Sequence, residues 1–216
     1  MDDFRKIEFV ILDVETTGLS PGNGDRVIEV AALKIRELKV VDRFYSLVDP
    51  QRPLAYGAFL VNGITVEMLK GAPVAEEIIP GFFDFLGQAC LVGHNIRFDL
   101  KFLKNEADFS GQPWRHRHPA LDTVRLARWL LPDLGRYRLQ MVAHHLGIED
   151  VQLHRAMADV ELTRTIFQIM LEMAFRRDVS DLKGLLKYGG VKFEFASRNK
   201  FARVFDPWPA DGGPSF

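Results

Sequence analysis

Two carboxylate residues stand close together near the start of the chain, at the end of an apolar stretch. Asp13 and Glu15 follow residues 9–12, whose apolar side chains predict a buried strand. Residues two apart on a strand point to the same face, so the two carboxylates project together. They repel each other unless a cation lies between them. The alternatives are therefore a turn in which both face water and a site for a divalent cation.

The residues that follow this pair favour the cation site. Thr16 and Thr17 supply two hydroxyl groups, and Gly18 lets the backbone approach a ligand closely. Such a surface suits sugar and phosphate groups. The segment therefore indicates a strand end that binds a ligand rather than a plain solvent-exposed turn.

A second group of polar residues lies between a short apolar stretch and a predicted helix. It contains His94, Asn95 and Asp99. A purely structural interpretation makes Asp99 an acidic residue favoured by the helix dipole, and His94 and Asn95 capping residues. The position after a buried strand favours function instead, because α/β folds gather functional groups at strand ends.

The third group lies at the start of the last long helix. Asp159 stands three residues before Leu162, at the head of an apolar stripe that continues through Ile166 and Met170. A carboxylate at that place is costly without a partner, which is either a cap or ion-pair partner or a metal ion. His154 lies five residues upstream of Asp159, off that face, and is expected in the loop before the helix.

The surrounding pattern predicts an α/β protein with these groups at its strand ends. Three apolar or β-branched stretches joined by short turns predict an antiparallel start at residues 7–12, 27–35 and 40–48. Residues 89–92 predict a short buried strand. Helical periodicity covers residues 74–86, 98–103, 124–131, 139–146 and 156–176. A mixed sheet covered by helices is the expected architecture.

Composition and charge narrow the range of functions. The chain has 216 residues, 47% of them hydrophobic and 26% charged, which is typical of a globular protein with its own core. The single cysteine, Cys90, excludes an internal disulfide and predicts a small core residue in a reducing, cytoplasmic location. No stretch approaches the ~18 apolar residues that cross a bilayer, so no membrane association is expected. A net charge of −1 argues against a binder held by charge alone.

The end of the chain differs from the rest. Residues 179–216 carry six basic and four acidic side chains, a balance of +2 in a chain of net charge −1. Phe205 and Trp208 stand there among prolines and glycines. We therefore divide the chain at residue 178 and interpret residues 179–216 as a C-terminal extension that is partly disordered or docks on a partner.

Taken together, the three polar groups resemble the motifs of a known family. Asp13-x-Glu15-Thr16-Thr17-Gly18, His94-Asn95-x-x-Phe98-Asp99 and His154-x-Ala156-x-x-Asp159 are similar, in order and spacing, to those of the DnaQ-like 3′–5′ exonucleases, the DEDDh class. The chain looks most like the group around the proofreading epsilon subunit of bacterial DNA polymerase III, over about residues 6–175. The resemblance implies a ribonuclease H-like fold, a mixed five-stranded sheet flanked by helices, in an exonuclease domain at residues 1–178.

The resemblance also implies a role for each motif residue. His154 would be the general base. Two divalent ions, Mg²⁺ or Mn²⁺, would be held by four carboxylates: Asp13, Glu15, Asp99 and Asp159. Contacts with the terminal nucleotide are implied for Thr16, Thr17, Gly18, Leu19, Asn95 and Phe98.

The implied activity is metal-dependent release of nucleoside 5′-monophosphates from the 3′ ends of single-stranded or frayed DNA, in proofreading or repair. A DNA polymerase catalytic subunit is an implied partner. Two alternatives stay open. One is trimming of RNA 3′ ends, because the motifs do not read the 2′-OH. The other is a non-catalytic accessory module of a polymerase, whose expected sign would be a lost carboxylate. The sequence leaves the physiological metal and the oligomeric state undetermined.

Overall fold

The core of the protein is one mixed five-stranded sheet. The computed structural model describes residues 4–54, 56–112, 114, 117–149 and 155–194. The strands lie in the order β3-β2-β1-β4-β5. They are β1 (Phe9–Thr16), β2 (Val27–Arg36), β3 (Lys39–Leu47), β4 (Cys90–Gly93) and β5 (Ala120–Asp122). The pairs β1–β2 and β2–β3 are antiparallel, whereas β4 runs parallel to both β1 and β5.

Helices follow the strands and cover the sheet. In the described part of the chain they are α1 (Tyr56–Asn62), α2 (Val66–Leu69), α3 (Ala75–Leu86), α4 (Arg97–Phe109), α5 (Thr123–Leu130), α6 (Leu139–His145), α7 (Ala156–Phe175) and α8 (Leu182–Gly189). Short 3₁₀ turns lie at Phe4–Lys6, Pro21–Asn23 and Pro132–Leu134. None of these described helices combines the length and the apolarity needed to cross a bilayer.

The alternation of β1 divides the core into two apolar layers. Phe9 and Ile11 point towards α5 and α7, and the Phe9 ring meets Phe167 of α7 edge-on, with 5.1 Å between the ring centroids. Val10 and Leu12 point to the other face, where α3 and α4 pack. The period of two along a strand therefore continues the α7-facing row from Ile11 through residues 13 and 15.

The expected fold class is confirmed in its main features. The periodicity correctly predicts the three antiparallel strands, the short strand at 90–93 and the long helix α7. Cys90 is a buried core residue, as expected. The periodicity did not predict β5 or the helices α1, α2 and α8, because each has at most eight residues and α1 and α8 contain glycine.

The first part of the proposed C-terminal extension lies against the core. Helix α8 contacts α5 and β5, and its Leu185 is fully buried. The Tyr188 ring stacks on Trp129 with 3.9 Å between centroids, and Val191 N donates a hydrogen bond to Ala120 O. Residues 179–194 therefore pack against the core. Whether the chain divides at residue 178 in folding and function stays a prediction. Residues 195–216 lie outside the described residues.

Candidate active site

Three carboxylates from two distant parts of the sequence meet at the end of β1. Asp13 and Glu15 extend the row of side chains that faces α7, and Asp159 lies in the first turn of that helix. One oxygen from each of the three side chains lies within 4.8 Å of the others. We call Asp13, Glu15 and Asp159 the carboxylate cluster. Such a set of oxygens is the kind of donor group that Mg²⁺ or Mn²⁺ prefers.

Asp99 lies beside the carboxylate cluster but is not one of its three members. It stands in the first turn of α4, is 3% exposed, and accepts a hydrogen bond from Val14 N at 3.0 Å. Val14 stands between Asp13 and Glu15 on β1, so this hydrogen bond holds Asp99 next to them, and the charge of Asp99 raises the pKa of Asp13. The structure thus brings all four predicted acidic residues to one end of the sheet.

Burial and mutual repulsion change the acidity of these groups. Burial raises the pKa of Asp13 well above its usual range, and the charges of Asp99 and Asp159 raise it further. Burial also raises the pKa of Asp99. The pKa of Glu15 rises to about 7, through burial first and then through the charge of Asp159. Because neighbouring anions favour the protonated forms, a divalent cation that binds here must displace protons.

Two residues that the sequence analysis did not single out contact this region. The Asn62 side chain, at the end of α1, donates to Thr16 O at 3.5 Å and forms a hydrogen bond that lowers the pKa of Glu15. Glu29 of β2 is paired directly with Glu15 across the sheet and is 0% exposed. An acidic residue inside the apolar stretch 27–35 was the available signal for Glu29, whereas no sequence pattern indicated Asn62.

The loop after β1 uses its own polar groups to hold its shape. Thr17 Oγ1 accepts a hydrogen bond from Arg26 N at 3.0 Å and donates to the Asp25 carboxylate at 3.3 Å. Thr16 Oγ1 donates to Gly18 O at 2.6 Å. A Cβ atom at position 18 would overlap the Asp25 carboxylate, so glycine is needed there for packing within the loop. The two hydroxyls and Gly18 therefore hold the loop in one conformation, and what the loop presents to a ligand is its backbone.

The turn after β4 is fixed by residues at the end of β5. Asn95 has a positive φ of 67°, which is uncommon for a residue with a side chain, and its N–H donates to Asp122 Oδ1 at 3.0 Å. His94 contacts Thr123 Oγ1 at 2.9 Å through one ring nitrogen and Tyr137 O at 2.8 Å through the other. Burial lowers the pKa of His94. Both nitrogens of His94 are thus engaged in structural contacts.

A cleft of about 490 Å³ lies between these two loops. Three residues that the sequence analysis expected to contact a nucleotide line it: Leu19, Asn95 and Phe98. Leu19 is 84% exposed, and the Phe98 ring lies 4.9 Å from that of Phe102. Arg97 and Lys101 add positive charge to the same wall. The cleft therefore combines apolar surface with a cationic rim.

His154 lies outside the described residues, so its side chain is not placed. Its neighbour Arg155 is the residue before α7, and Ala156 is the first residue of that helix. Both the expected place of His154 in the loop before α7 and its role therefore stay predictions.

Comparison with known proteins adds to this geometry. Residues 10–167 match the family model described as exonuclease, RNase_T. The chain belongs to this exonuclease family. It therefore carries a phosphodiester-hydrolase domain, and the match includes the whole carboxylate cluster and Asp99. This agrees with the resemblance that the three motifs indicated.

Similar proteins include a bacterial DNA polymerase III and two exonucleases. The PolC-type DNA polymerase III of Clostridium perfringens is 38% identical over 179 residues, which is 82% of this chain but 12% of that protein. This chain thus spans a small part of the relative's length. Exonuclease X, solved with a 5′-overhanging duplex DNA, has a TM-score of 0.67 and 23% identity, over 83% of this chain and 98% of that one.

A third similar structure is Escherichia coli exonuclease I with a dA16 oligonucleotide. It has a TM-score of 0.69 and 23% identity, over 79% of this chain and 42% of that one. At this level of identity the likeness to the two solved exonucleases shows the fold, and it confirms the ribonuclease H-like class.

Proposed function

We propose that this exonuclease domain removes nucleoside 5′-monophosphates from the 3′ ends of single-stranded or frayed DNA in a metal-dependent reaction. The observation that carries the proposal is the carboxylate cluster, whose oxygens lie within 4.8 Å of one another in a member of the exonuclease family. Without cations the four acidic residues would repel a phosphodiester. Substrate and metal binding are therefore expected to depend on each other.

The proposed metal ligands are Asp13, Glu15, Asp99 and Asp159, with two Mg²⁺ or Mn²⁺ ions. The all-oxygen donor set supports this, and so does the mutual repulsion that raises the pKa values of Asp13 and Glu15, because a hard cation bound to the deprotonated oxygens removes that repulsion. When bound, such a pair of ions stabilises both the attacking and the leaving oxygen of an in-line displacement. The protein's own part is to hold the carboxylates close together, so that bound cations take the place of their protons.

His154 is the proposed general base. A histidine with a reference pKa near ~6.5 can take a proton from an attacking water at neutral pH. Its place directly before Arg155 puts it next to the helix that carries Asp159. The motif resemblance supports this role.

The proposed contacts with the terminal nucleotide fall into two sets. Leu19, Asn95 and Phe98 line the cleft and offer apolar and amide surface to a base and sugar. Thr16, Thr17 and Gly18 act through the backbone surface of their loop, because the two threonine hydroxyls already form hydrogen bonds within it.

The direction and the substrate are the finer parts of the proposal. The 3′–5′ direction follows from the resemblance to the DnaQ-like class. Similar folds solved with DNA support a DNA substrate, and the PolC-type relative supports a polymerase as a partner and a cytoplasmic role in proofreading or repair. An RNA-trimming activity is the alternative with the same residues. A non-catalytic module is disfavoured because all four acidic residues are present at one end of the sheet.

The test is digestion of matched DNA and RNA oligomers, single-stranded and mispaired, with Mg²⁺, with Mn²⁺ and with chelator. A DNA labelled at its 5′ end should give a descending ladder only with metal, and a 3′ phosphate should block it. Immediate release of a labelled 5′ mononucleotide would contradict the proposed direction. Faster digestion of RNA than of DNA would favour the trimming activity.

A further inference from the structure

The feature that the proposed mechanism leaves unused is the buried carboxylate of Glu29. It lies on β2 directly opposite Glu15, with no exposed surface. A buried anion costs free energy unless it is paired and hydrogen-bonded. The groups that donate hydrogen bonds to Glu29 therefore indicate its role.

Glu29 accepts hydrogen bonds from three different groups. Arg155 donates through Nε at 3.0 Å and through a terminal nitrogen at 2.6 Å. Tyr45 donates its hydroxyl to Oε1 at 2.8 Å, and Ala156 N donates to Oε2 at 2.9 Å. Arg155 also donates to the Tyr45 oxygen at 2.9 Å. We call Glu29, Arg155 and Tyr45 the Glu29 clamp.

The clamp joins three elements at one point. Glu29 belongs to β2 and Tyr45 to β3, while Arg155 and Ala156 begin α7. Helix α7 has no side-chain cap of its own, so Glu29 supplies an acceptor for the first N–H from the neighbouring strand. A negative charge at the start of a helix also interacts favourably with the helix dipole.

The start of α7 carries residues of the proposed active site. Asp159 lies one turn into the helix, with its N–H hydrogen-bonded to Arg155 O at 3.1 Å, and His154 directly precedes Arg155. A shift of the first turn would therefore move Asp159 away from the two carboxylates of β1. Displacements of this kind are costly to catalysis even when they are small.

We propose that Glu29 is a positioning residue that, with Arg155 and Tyr45, holds the start of α7 so that Asp159 faces the carboxylates of β1. This inference rests on the proposed function, since it concerns the same site. Glu29 is not itself a metal ligand, because Arg155 and Ala156 N occupy both of its oxygens.

The decisive variant is Glu29→Gln, which keeps the volume but removes the charge and one acceptor oxygen. We expect kcat on a single-stranded oligonucleotide to fall about 10–100-fold, as is usual when a residue that orients a metal ligand is changed. At saturating Mg²⁺, KM for the oligonucleotide should stay near the wild-type value, because the cleft around Leu19 and Phe98 is unchanged. Glu29→Asp, which keeps the charge, should recover part of the lost rate.

A second readout is independent of activity. The rise in Tm on adding Mg²⁺ without substrate reports metal binding directly. Glu29→Gln should require about 10-fold or more Mg²⁺ for the half-maximal rise, because Asp159 is no longer held beside Asp13 and Glu15.

The matched control is Met170→Ala. Met170 is 1% exposed on the same helix, far from its first turn, so the variant loses stability without touching the clamp. Well below its melting temperature it should keep the wild-type kcat and Mg²⁺ requirement. If Met170→Ala changed both as much as Glu29→Gln does, the effect of Glu29 would be one of stability alone and the inference would be wrong.

Further variants keep the test decisive if Glu29→Gln does not fold. Tyr45 is 47% exposed, so Tyr45→Phe removes one donor of the clamp at little risk to folding. Together with Arg155→Lys it should lower kcat and leave KM unchanged. Wild-type kcat and Mg²⁺ requirement in every folded clamp variant would overturn the inference. A wild-type protein without metal-dependent nuclease activity would instead contradict the proposed function.

Discussion

The carboxylate cluster and the Glu29 clamp lie side by side on the sheet, yet they accommodate negative charge in opposite ways. Glu15 and Glu29 face each other across β1 and β2. Glu29 is bound by the Arg155 guanidinium and by two further donors. Glu15 forms no salt bridge within the described part of the chain, and its pKa rises to about 7. The difference shows which carboxylate the fold itself neutralises, and it supports the proposal that Glu15 binds a cation from solution.

The same difference separates stabilising from destabilising charge. A buried carboxylate with an arginine partner costs stability when either partner is removed, because the other charge is left unpaired. Neighbouring carboxylates without a cation repel each other, so removing one should increase the stability of the metal-free protein. The predictions below test this contrast, beginning with the largest expected effect.

Asp13→Asn should lower activity by at least ~10³-fold while the metal-free protein becomes more stable. The rate falls because a metal ligand is lost, and the stability rises because repulsion within the carboxylate cluster decreases. Single-turnover digestion and Tm in chelator measure the two effects. Asp159→Asn should behave alike. If either variant kept activity within about tenfold of wild type, the metal site would be wrongly assigned.

His154→Ala should lower the rate by about 10²–10⁴-fold, which is the usual contribution of a general base. Unlike Asp13→Asn, it should leave the Mg²⁺-induced rise in Tm unchanged, because a base can be removed without removing a ligand. If metal titration showed the same weakening as in Asp13→Asn, His154 would be a metal ligand instead.

Metal binding should strengthen as pH rises through about 7. A folded-state pKa of about 7 for Glu15, above its usual range, means that its proton stabilises the metal-free protein at low pH and that this stability is lost as pH rises through 7. Mg²⁺ competes with that proton, so the difference in Tm with and without Mg²⁺ should increase between about pH 5 and 8. Glu15→Gln is the control, and an equally steep pH dependence in that variant would contradict the role of Glu15.

Truncation should have the smallest effect on catalysis. Removal of residues 195–216 should leave both Tm and dinucleotide hydrolysis nearly unchanged. Truncation after Asp178 also removes Leu185, which is fully buried, so Tm should fall because apolar surface of α5 is exposed. The folded fraction should still hydrolyse a dinucleotide, since the carboxylate cluster lies upstream. A folded truncated protein without that activity would place residues 179–194 in the catalytic domain.

Local features of the chain were readable from the sequence because they depend on residues close together. The period of two at residues 9–15 predicted that Asp13 and Glu15 share a face, and the apolar period of α7 placed Asp159 at its start. The order and spacing of three motifs indicated the family. Strand β5 has three residues and therefore no period to read, and it forms because β4 pairs with it along one side and Gly190, the residue after α8, forms a bridge to Leu121.

The sequence by itself determined which residue types could hold metal and on which elements they lie. Only the tertiary structure decided that Glu29 stands opposite Glu15, because the register between β1 and β2 is set by hydrogen bonds between strands and by the packing of both faces. It also decided that the hydroxyls of Thr16 and Thr17 are used within their loop, and that Arg155 neutralises one of two adjacent carboxylates and not the other. Such pairings join residues as many as 126 positions apart, and their energies depend on distance and burial, which no local pattern contains.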